Sequence, residues 1–243
     1  MKRRRSLARS VDVNLRLDWC SYEAAKYAVE HWHYSKRMPK SRQVYIGVWE
    51  DETFIGAITF GKSITPYLGD AYGLSHTECA ELTRIALTKH KEPVSRIATI
   101  AIKLLKLQSP NLRLLVSYAD PNVGHNGSIY QAMNWIYVGN SSAIKQYYWR
   151  GQWRNDTPMF TAFKTNPNLR KSCESRELTE KYKYLMPLDN EMRKQIEPLR
   201  KPYPKRGRGE IDNAPQSNEE TGGASPTRPL LDSLTGGMPE LIN

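Results

Sequence analysis

The sequence predicts an α/β fold, a mixed sheet flanked by helices, and three observations carry that expectation. Residues 43–50 (QVYIGVWE) and 53–61 (TFIGAITFG) alternate on either side of Asp51 and Glu52, the pattern of a two-stranded hairpin. Ile97, Ile100, Ala101, Leu104 and Leu105 recur at helical spacing until Ser109-Pro110, so a helix lays an apolar stripe on a sheet. LRLLVSY (112–118) is a continuous apolar run, the mark of a strand covered on both faces.

The remaining elements follow in order. VNLRLDW (13–19) alternates as a strand, and Ser21 caps a helix from Tyr22 to about Trp32, with Glu23 near the positive end of its dipole. A loop rich in Gly, Pro and Tyr (62–77) leads to a strand at ECAELTRIALTK (78–89), after which Pro93 and Ser95 open the second helix. Ile129, Ala132 and Met133 give a third helix its apolar stripe, and IYVG (136–139), QYYWRGQW (146–153) and MFTAFK (159–164) supply further strands. The chain then divides into a basic N-terminal arm (1–12), a central α/β domain (13–166), a basic extension (167–206) and an acidic tail (207–243). The tail, with its stretch APQSNEETGGASPTRP, buries too little apolar area to offset chain entropy and is expected to be disordered.

Charge narrows the partners. The formal net charge is +11, yet residues 210–243 hold six acids and one base, Arg228, which leaves residues 1–209 with 35 Lys and Arg against 19 Asp and Glu, or +16. A surplus of that size attracts polyanions, since each phosphate neutralised releases condensed counterions; the plain alternative is solubility alone. No apolar run approaches the roughly 20 residues of a membrane span. The basic MKRRRSLARS lacks a following apolar region, so secretion is not expected. Cys20, Cys79 and Cys173 are odd in number, far apart and without a CxxC pair, which fits a reducing cytosol better than a disulfide or zinc framework.

The apolar strand at 112–118 runs into Ser117, Tyr118 and Asp120, at the strand end where an open α/β sheet places its ligand crevice. There Asp120 is a candidate proton acceptor, against the plain alternative of an Asp-Pro turn. His125 and Asn126 lie between Gly124 and Gly127 and can meet an anion or an extruded base, or Asn126 and Ser128 can simply cap a helix. HYSKRMP (33–39) sets His33 and Tyr34 past a helix end, with Lys36 and Arg37 either clamping phosphate or capping the helix dipole. Arg42 is a further candidate phosphate contact. Tyr147, Tyr148, Trp149 and Trp153 interleave with Lys145, Arg150 and Arg154. Strand alternation turns half of these aromatics inward and leaves the others, with Tyr148, Trp149 and Arg150 as candidates, to touch nucleic acid. No HxxxH or two-His-one-carboxylate spacing is readable.

The order β-α-hairpin-β-α-β-α-β resembles the GCN5-related acetyltransferase-like fold. ELTRIALT (81–88) looks like that family's fourth strand, which implies acyl-carrier contacts at Leu87 and Thr88, and NGSIYQAMNWIYVG (126–139) looks like its Asn loop, Tyr-bearing helix and turn, with Asn134-Trp135 in place of Gly-Phe. Tyr130 matches the tyrosine acid of many such enzymes. Where that family has a Gly-rich loop for the CoA pyrophosphate, this chain reads KHKEPVSR (89–96), without glycine, which argues against ordinary acetyl-CoA binding.

HYSKRMP, ELTRIAL and SYADPNVGHNGSIYQAMNWIYVG (117–139) further resemble the Mom-like DNA-modification proteins of bacteriophages, over roughly residues 10–165. That resemblance implies a transferase that adds a carbamoylmethyl (acetamido) group to N6 of adenine in double-stranded DNA, shielding phage DNA from restriction in the cytoplasm of the infected host. It implies catalytic roles for Asp120, Tyr130, His33, Tyr34, Ser117 and Tyr118. The donor is left open between an acyl-CoA and a glycine-derived carrier, and oligomeric state is left open with a dimer among the alternatives. Iron has been associated with that family, with His33, Tyr34 and Asp120 as the set that would hold it. A CoA-dependent N-acetyltransferase of a protein or small amine, and a non-enzymatic basic DNA-binding protein, are the alternatives.

Overall fold

The structure, a computed structural model, describes residues 14–62, 68–178 and 180–205. The arm expected at 1–12 and the tail expected at 207–243 lie outside the described residues. The α/β class and the acetyltransferase-like order of elements are those expected. Packing divides the described residues into two compact units, the first built from 14–62, Leu68 and Ala80–Leu112, the second from Gly69–Cys79 and the described residues from Arg113 to 205.

In the first unit β1 (Leu15–Trp19), β2 (Gln43–Glu50), β3 (Thr53–Gly61) and β4 (Cys79–Leu87) pair antiparallel in that order. Asp51 and Glu52 turn the β2–β3 hairpin with φ of 48° and 62°, the left-handed pair that matches strand twist. Helix α1 (Tyr22–Trp32) starts where Ser21 Oγ accepts from the Ala24 N–H at 3.2 Å. Its Ala25, Ala28 and Val29 meet Ala57 and Ala86 of the sheet with no solvent exposure, because small side chains on both partners let the backbones approach. Helix α2 (Val94–Gln108) buries Ile97, Ala98, Ala101, Ile102 and Leu105; its stripe is rotated from the expected one, leaving Ile100 and Leu104 half-buried.

Between β3 and β4 the register skips from Thr59↔Arg84 to Phe60↔Leu82, so Thr83 is the extra residue of a bulge. Its hydroxyl donates to Gln43 Oε1 at 2.5 Å and sits 2.7 Å from Thr59 Oγ1, a polar stripe across three buried strands.

The second unit holds β5 (Leu114–Ala119), α3 (Ser128–Ala132), β6 (Ile136–Asn140), β7 (Ile144–Trp149), β8 (Gln152–Asn155), α4 (Asp156–Thr165), α5 (Pro167–Ser172), β9 (Ser175–Leu178), β10 (Tyr182–Pro187) and α6 (Asn190–Ile196). As its apolar run predicts, β5 is buried almost throughout. Three expectations change here. The strand expected over 146–153 is a hairpin of β7 and β8, turned by Arg150 and Gly151 with φ of 52° and 74°. The strand expected at MFTAFK is part of helix α4: Met159 and Phe163 are four residues apart, and as a helix they bury together against Tyr147. Residues 167–206, expected as an extension beyond a boundary at 166, supply β10, which pairs antiparallel with β5 on one side and β6 on the other. Leu185 and Tyr184 of β10 are fully buried, so this segment belongs to the packed interior of its unit. Asp189 ties the next helix down, capping α6 through the Met192 N–H and taking Arg113 Nε at 2.8 Å.

Candidate active site

β5 carries Ser117, Tyr118 and Ala119 to the edge of a loop that returns through α3, and β10 lies alongside it. Within this second unit Ser117 Oγ donates to Tyr130 Oη at 2.7 Å, a buried serine holding the tyrosine of the helix that follows. The Tyr130 ring is boxed by Trp135 at 5.0 Å and Tyr184 at 5.2 Å between centroids. Tyr184 donates its hydroxyl proton to the Asn126 carbonyl at 2.5 Å and receives Gln131 Nε2 at 3.2 Å. Burial pushes the Tyr184 phenol up to about 12, so it remains a donor at any physiological pH.

The turn between strand and helix depends on Gly127. Its φ is +79°, and a Cβ there would lie 2.4 Å from the Tyr184 ring, so any side chain would expel the ring that supports Tyr130. Asn134 supplies the left-handed residue after α3 with φ of 57°, which is how Asn replaces the Gly of the acetyltransferase-like pattern, and Trp135 then plugs the core with no exposure.

Asp120 is engaged on both oxygens. Oδ1 accepts from the Asn122 N–H at 3.0 Å and from Asn122 Nδ2 at 2.8 Å, and Oδ2 is 3.0 Å from Lys181 Nζ. Burial alone would raise its carboxyl; the Lys181 ammonium and the Asn122 donors outweigh burial and hold it below the usual carboxylate value. The Asp-Pro turn is therefore present, and beside it stands an ion pair that the sequence does not announce. A carboxylate so stabilised is a weak base for a neutral amine, but it suffices to take a proton from an amine made cationic by attack on carbon, since that proton is strongly acidic. Asn126 is buried, and its Oδ1 accepts the Ser128 N–H at 3.0 Å; the N-cap of α3 is Gly127, so neither Asn126 nor Ser128 takes the cap position expected, and Asn126 steadies the helix start from one residue before the cap. His125 is half-buried on the same loop, its N–H bonded to the Asp120 carbonyl at 3.1 Å.

In the first unit His33 is buried past the end of α1, and its Nδ1 accepts the Ser35 N–H at 3.1 Å, which leaves the proton of a neutral ring on Nε2. Tyr34 is 48% exposed, its ring 4.3 Å from that of His33. Lys36 donates to the His31 carbonyl, so the helix-capping alternative is realised there. Arg37 and Arg42 are exposed, and the Arg37 carbonyl receives Arg84 Nε of the β4 motif at 3.3 Å. The expected catalytic set thus falls on both units: His33 and Tyr34 on the first, Ser117, Tyr118, Asp120 and Tyr130 on the second. Among the described residues no group of three or more His, Cys, Asp or Glu is arranged to hold a metal ion.

The fit of CoA turns on the β4–α2 connection. Leu87 is buried, and Thr88 gives its carbonyl to His90 Nδ1 at 2.7 Å. The Glu50 carboxylate, 5% exposed, accepts the Lys91 N–H at 2.9 and 3.1 Å and the Glu92 N–H at 2.8 Å. These amides precede α2 where the acetyltransferase-like pattern turns N–H groups to a pyrophosphate, and a side chain of this chain already neutralises them. The loop does not fit a CoA pyrophosphate. Sequence reasoning missed Glu50, Lys181 and Tyr184, because each reaches its partner across 41 or more residues.

Among the described residues no helix is long and apolar enough to cross a membrane. Against solved structures the chain is similar to FeeM, an N-acyl amino acid synthase from uncultured soil microbes, at 10% identity and TM-score 0.45, covering 76% of this chain and 96% of that one. It is similar to the spermidine/spermine N-acetyltransferase SpeG from Vibrio cholerae at 10% identity and TM-score 0.38, with 76% and 96% covered. Among curated proteins it is 27% identical over 149 residues to the methylcarbamoylase mom of Escherichia phage Mu, a match covering 60% of this chain and 61% of the relative's length. The model of the Mom protein family matches residues 14–205, well over half of the chain, and the protein belongs to that family.

Proposed function

We propose that the chain is a phage DNA-modifying transferase that places a carbamoylmethyl group on N6 of adenine and so shields the DNA from restriction in the cytoplasm of the infected host. The observation that carries this reading is membership of the Mom family, together with the methylcarbamoylase named among its relatives. The surplus of +16 over residues 1–209 supplies the attraction for double-stranded DNA.

In the step proposed, the N6 lone pair attacks the methylene carbon of a donor carrying a CH2–C(O)NH2 group. The N–C bond forms, the bond from that carbon to its leaving group breaks, and the leaving group departs with the electron pair. Asp120, held by Lys181 and Asn122, accepts the N6 proton or orients the amine; Tyr130, held by Ser117, protonates the departing group. Tyr118, His125 and Asn126 line the same loop. On the first unit, taken by itself, His33 and the exposed Tyr34 are candidates for the chemistry, and Arg37 and Arg42, with Lys36 in a lesser part, for holding phosphates. Because Glu50 fills the β4–α2 amides, the donor is one that does not rely on that loop for a pyrophosphate, and the acetyl-CoA-dependent alternative loses its anchor.

The test is mass spectrometry of nucleosides from cells expressing the chain. A new deoxyadenosine species heavier by one carbamoylmethyl group is expected. Unmodified DNA together with tight, salt-sensitive binding would instead identify a basic DNA-binding protein.

A further inference from the structure

The small sheet β8-β7-β9 has two unlike faces. On one, Tyr147 packs with Met159 and Phe163 and is buried. On the other, the register sets Tyr148 opposite Trp153 and Gln146 opposite Arg176. The two rings lie 5.4 Å apart, the Arg176 guanidinium sits 4.2 Å over the Trp153 ring, and Arg176 Nε donates to Gln146 Oε1 at 3.0 Å. Tyr148 is 45% exposed. Alternation along β7 sends Trp149 to the face opposite Tyr148, so these two candidates cannot stack one ligand together.

We propose that the Tyr148–Trp153–Arg176 face is a stacking platform for an unpaired adenine, the form in which the base leaves the helix for modification; this rests on the reading of the chain as a DNA adenine transferase. A base paired within a duplex offers no free π-face, whereas an extruded one gains an aromatic surface and a nearby cation. The platform is fixed in advance: a two-residue turn at Arg150 and Gly151 joins its strands, and Gln146 holds the guanidinium over the indole. Charge selects the occupant. Residues 141–178 carry seven Lys and Arg (Lys145, Arg150, Arg154, Lys164, Arg170, Lys171, Arg176) against three Asp and Glu (Asp156, Glu174, Glu177), which favours a nucleic acid over a second copy of this surface.

The experiment measures the affinity of the purified full chain for a short duplex with one unpaired adenine and for the same duplex with an abasic residue at that position. The parent is expected to bind the adenine duplex about 5- to 150-fold more tightly, the range of base–aromatic stacking. Tyr148→Ala is expected to bring the two affinities within about twofold while keeping parental affinity for the abasic duplex, and Tyr148→Phe to keep the parental ratio. Arg176→Gln should narrow the ratio and weaken both affinities. A parent without the preference, or Tyr148→Ala with the preference intact, would overturn the platform. No donor is present in this assay, so loss of the mass-spectrometric signal with the binding preference intact refutes the transferase and leaves the platform standing.

Discussion

The chain has two strand-to-helix connections of the kind at which α/β sheets do chemistry, and they are finished differently. The β4–α2 connection is closed from within: Glu50 takes the Lys91 and Glu92 amides, and no side chain of KHKEPVSR is needed to satisfy them. The β5–α3 connection keeps its polar groups at the strand end, with Asp120 steadied by Lys181 and Tyr130 by Ser117. The difference separates a connection whose amides a carboxylate of the same unit satisfies from one that keeps a carboxylate and a phenol held at its strand end.

The comparison breaks most visibly at Asp120. Asp120→Asn keeps the bond to the Asn122 N–H and removes the charge, and modified adenine is expected to fall by about 10²-fold or more while DNA binding persists, as seen by nucleoside mass spectrometry and a binding titration. Undiminished modification would reduce the β5–α3 connection to a turn and move proton handling to Tyr118, His125 or Tyr130. Glu50→Ala tests the other connection. It removes a buried carboxylate and leaves the part-buried Lys91 and Glu92 N–H groups without their acceptor, and is expected to cost about 1 kcal/mol, lowering the melting temperature by about 2–4 °C, with activity per folded molecule unchanged.

An effect no larger follows from pH. The folded Asp120 carboxyl lies below its unfolded value, so its ion pair with Lys181 contributes fully above the ordinary carboxylate range near 3.8 and is lost as pH falls through the lower folded value. The stability gap between parent and Asp120→Asn, about 1 kcal/mol at neutral pH, should close over that acid window in denaturant titrations at a series of pH values. The smallest expected signal is the absence of one: acetyl-CoA titrated into the parent in a calorimeter should show no micromolar binding, and clear saturation would mean that Glu50 yields to a pyrophosphate after all.

Elements whose pattern and partners are local were legible in the sequence. The β2–β3 hairpin and α1 are found at the residues expected, and β4, α2 and β6 within about two, since alternation, a cap and a Pro stop act over a few residues. MFTAFK was ambiguous because six residues satisfy either period, and only Tyr147 below it decides for a helix. YKYLMP reads equally as a strand or a helix, and nothing local says that it lies between β5 and β6. The site divides the same way. Ser117, Asp120 and Tyr130 share one motif and are candidates from it, and the structure bonds Ser117 to Tyr130, whereas Lys181, Tyr184 and Glu50 act through distant pairings that hydropathy does not encode.

The placement of β10 has a consequence for synthesis on the ribosome. β5 and β6 emerge first with the slot between them vacant, exposing the edges of strands that carry Leu114, Leu115, Val116 and Ile136. From Asn140 to Pro187 a further 47 residues must be made, about 2–9 s at common elongation rates. For most of that interval Asp120 lacks Lys181 and Tyr130 lacks the ring of Tyr184, so a nascent or prematurely stopped chain keeps an open strand edge and an unsupported loop. Both supports arrive in one late event, when β10, the last strand made, is inserted between β5 and β6.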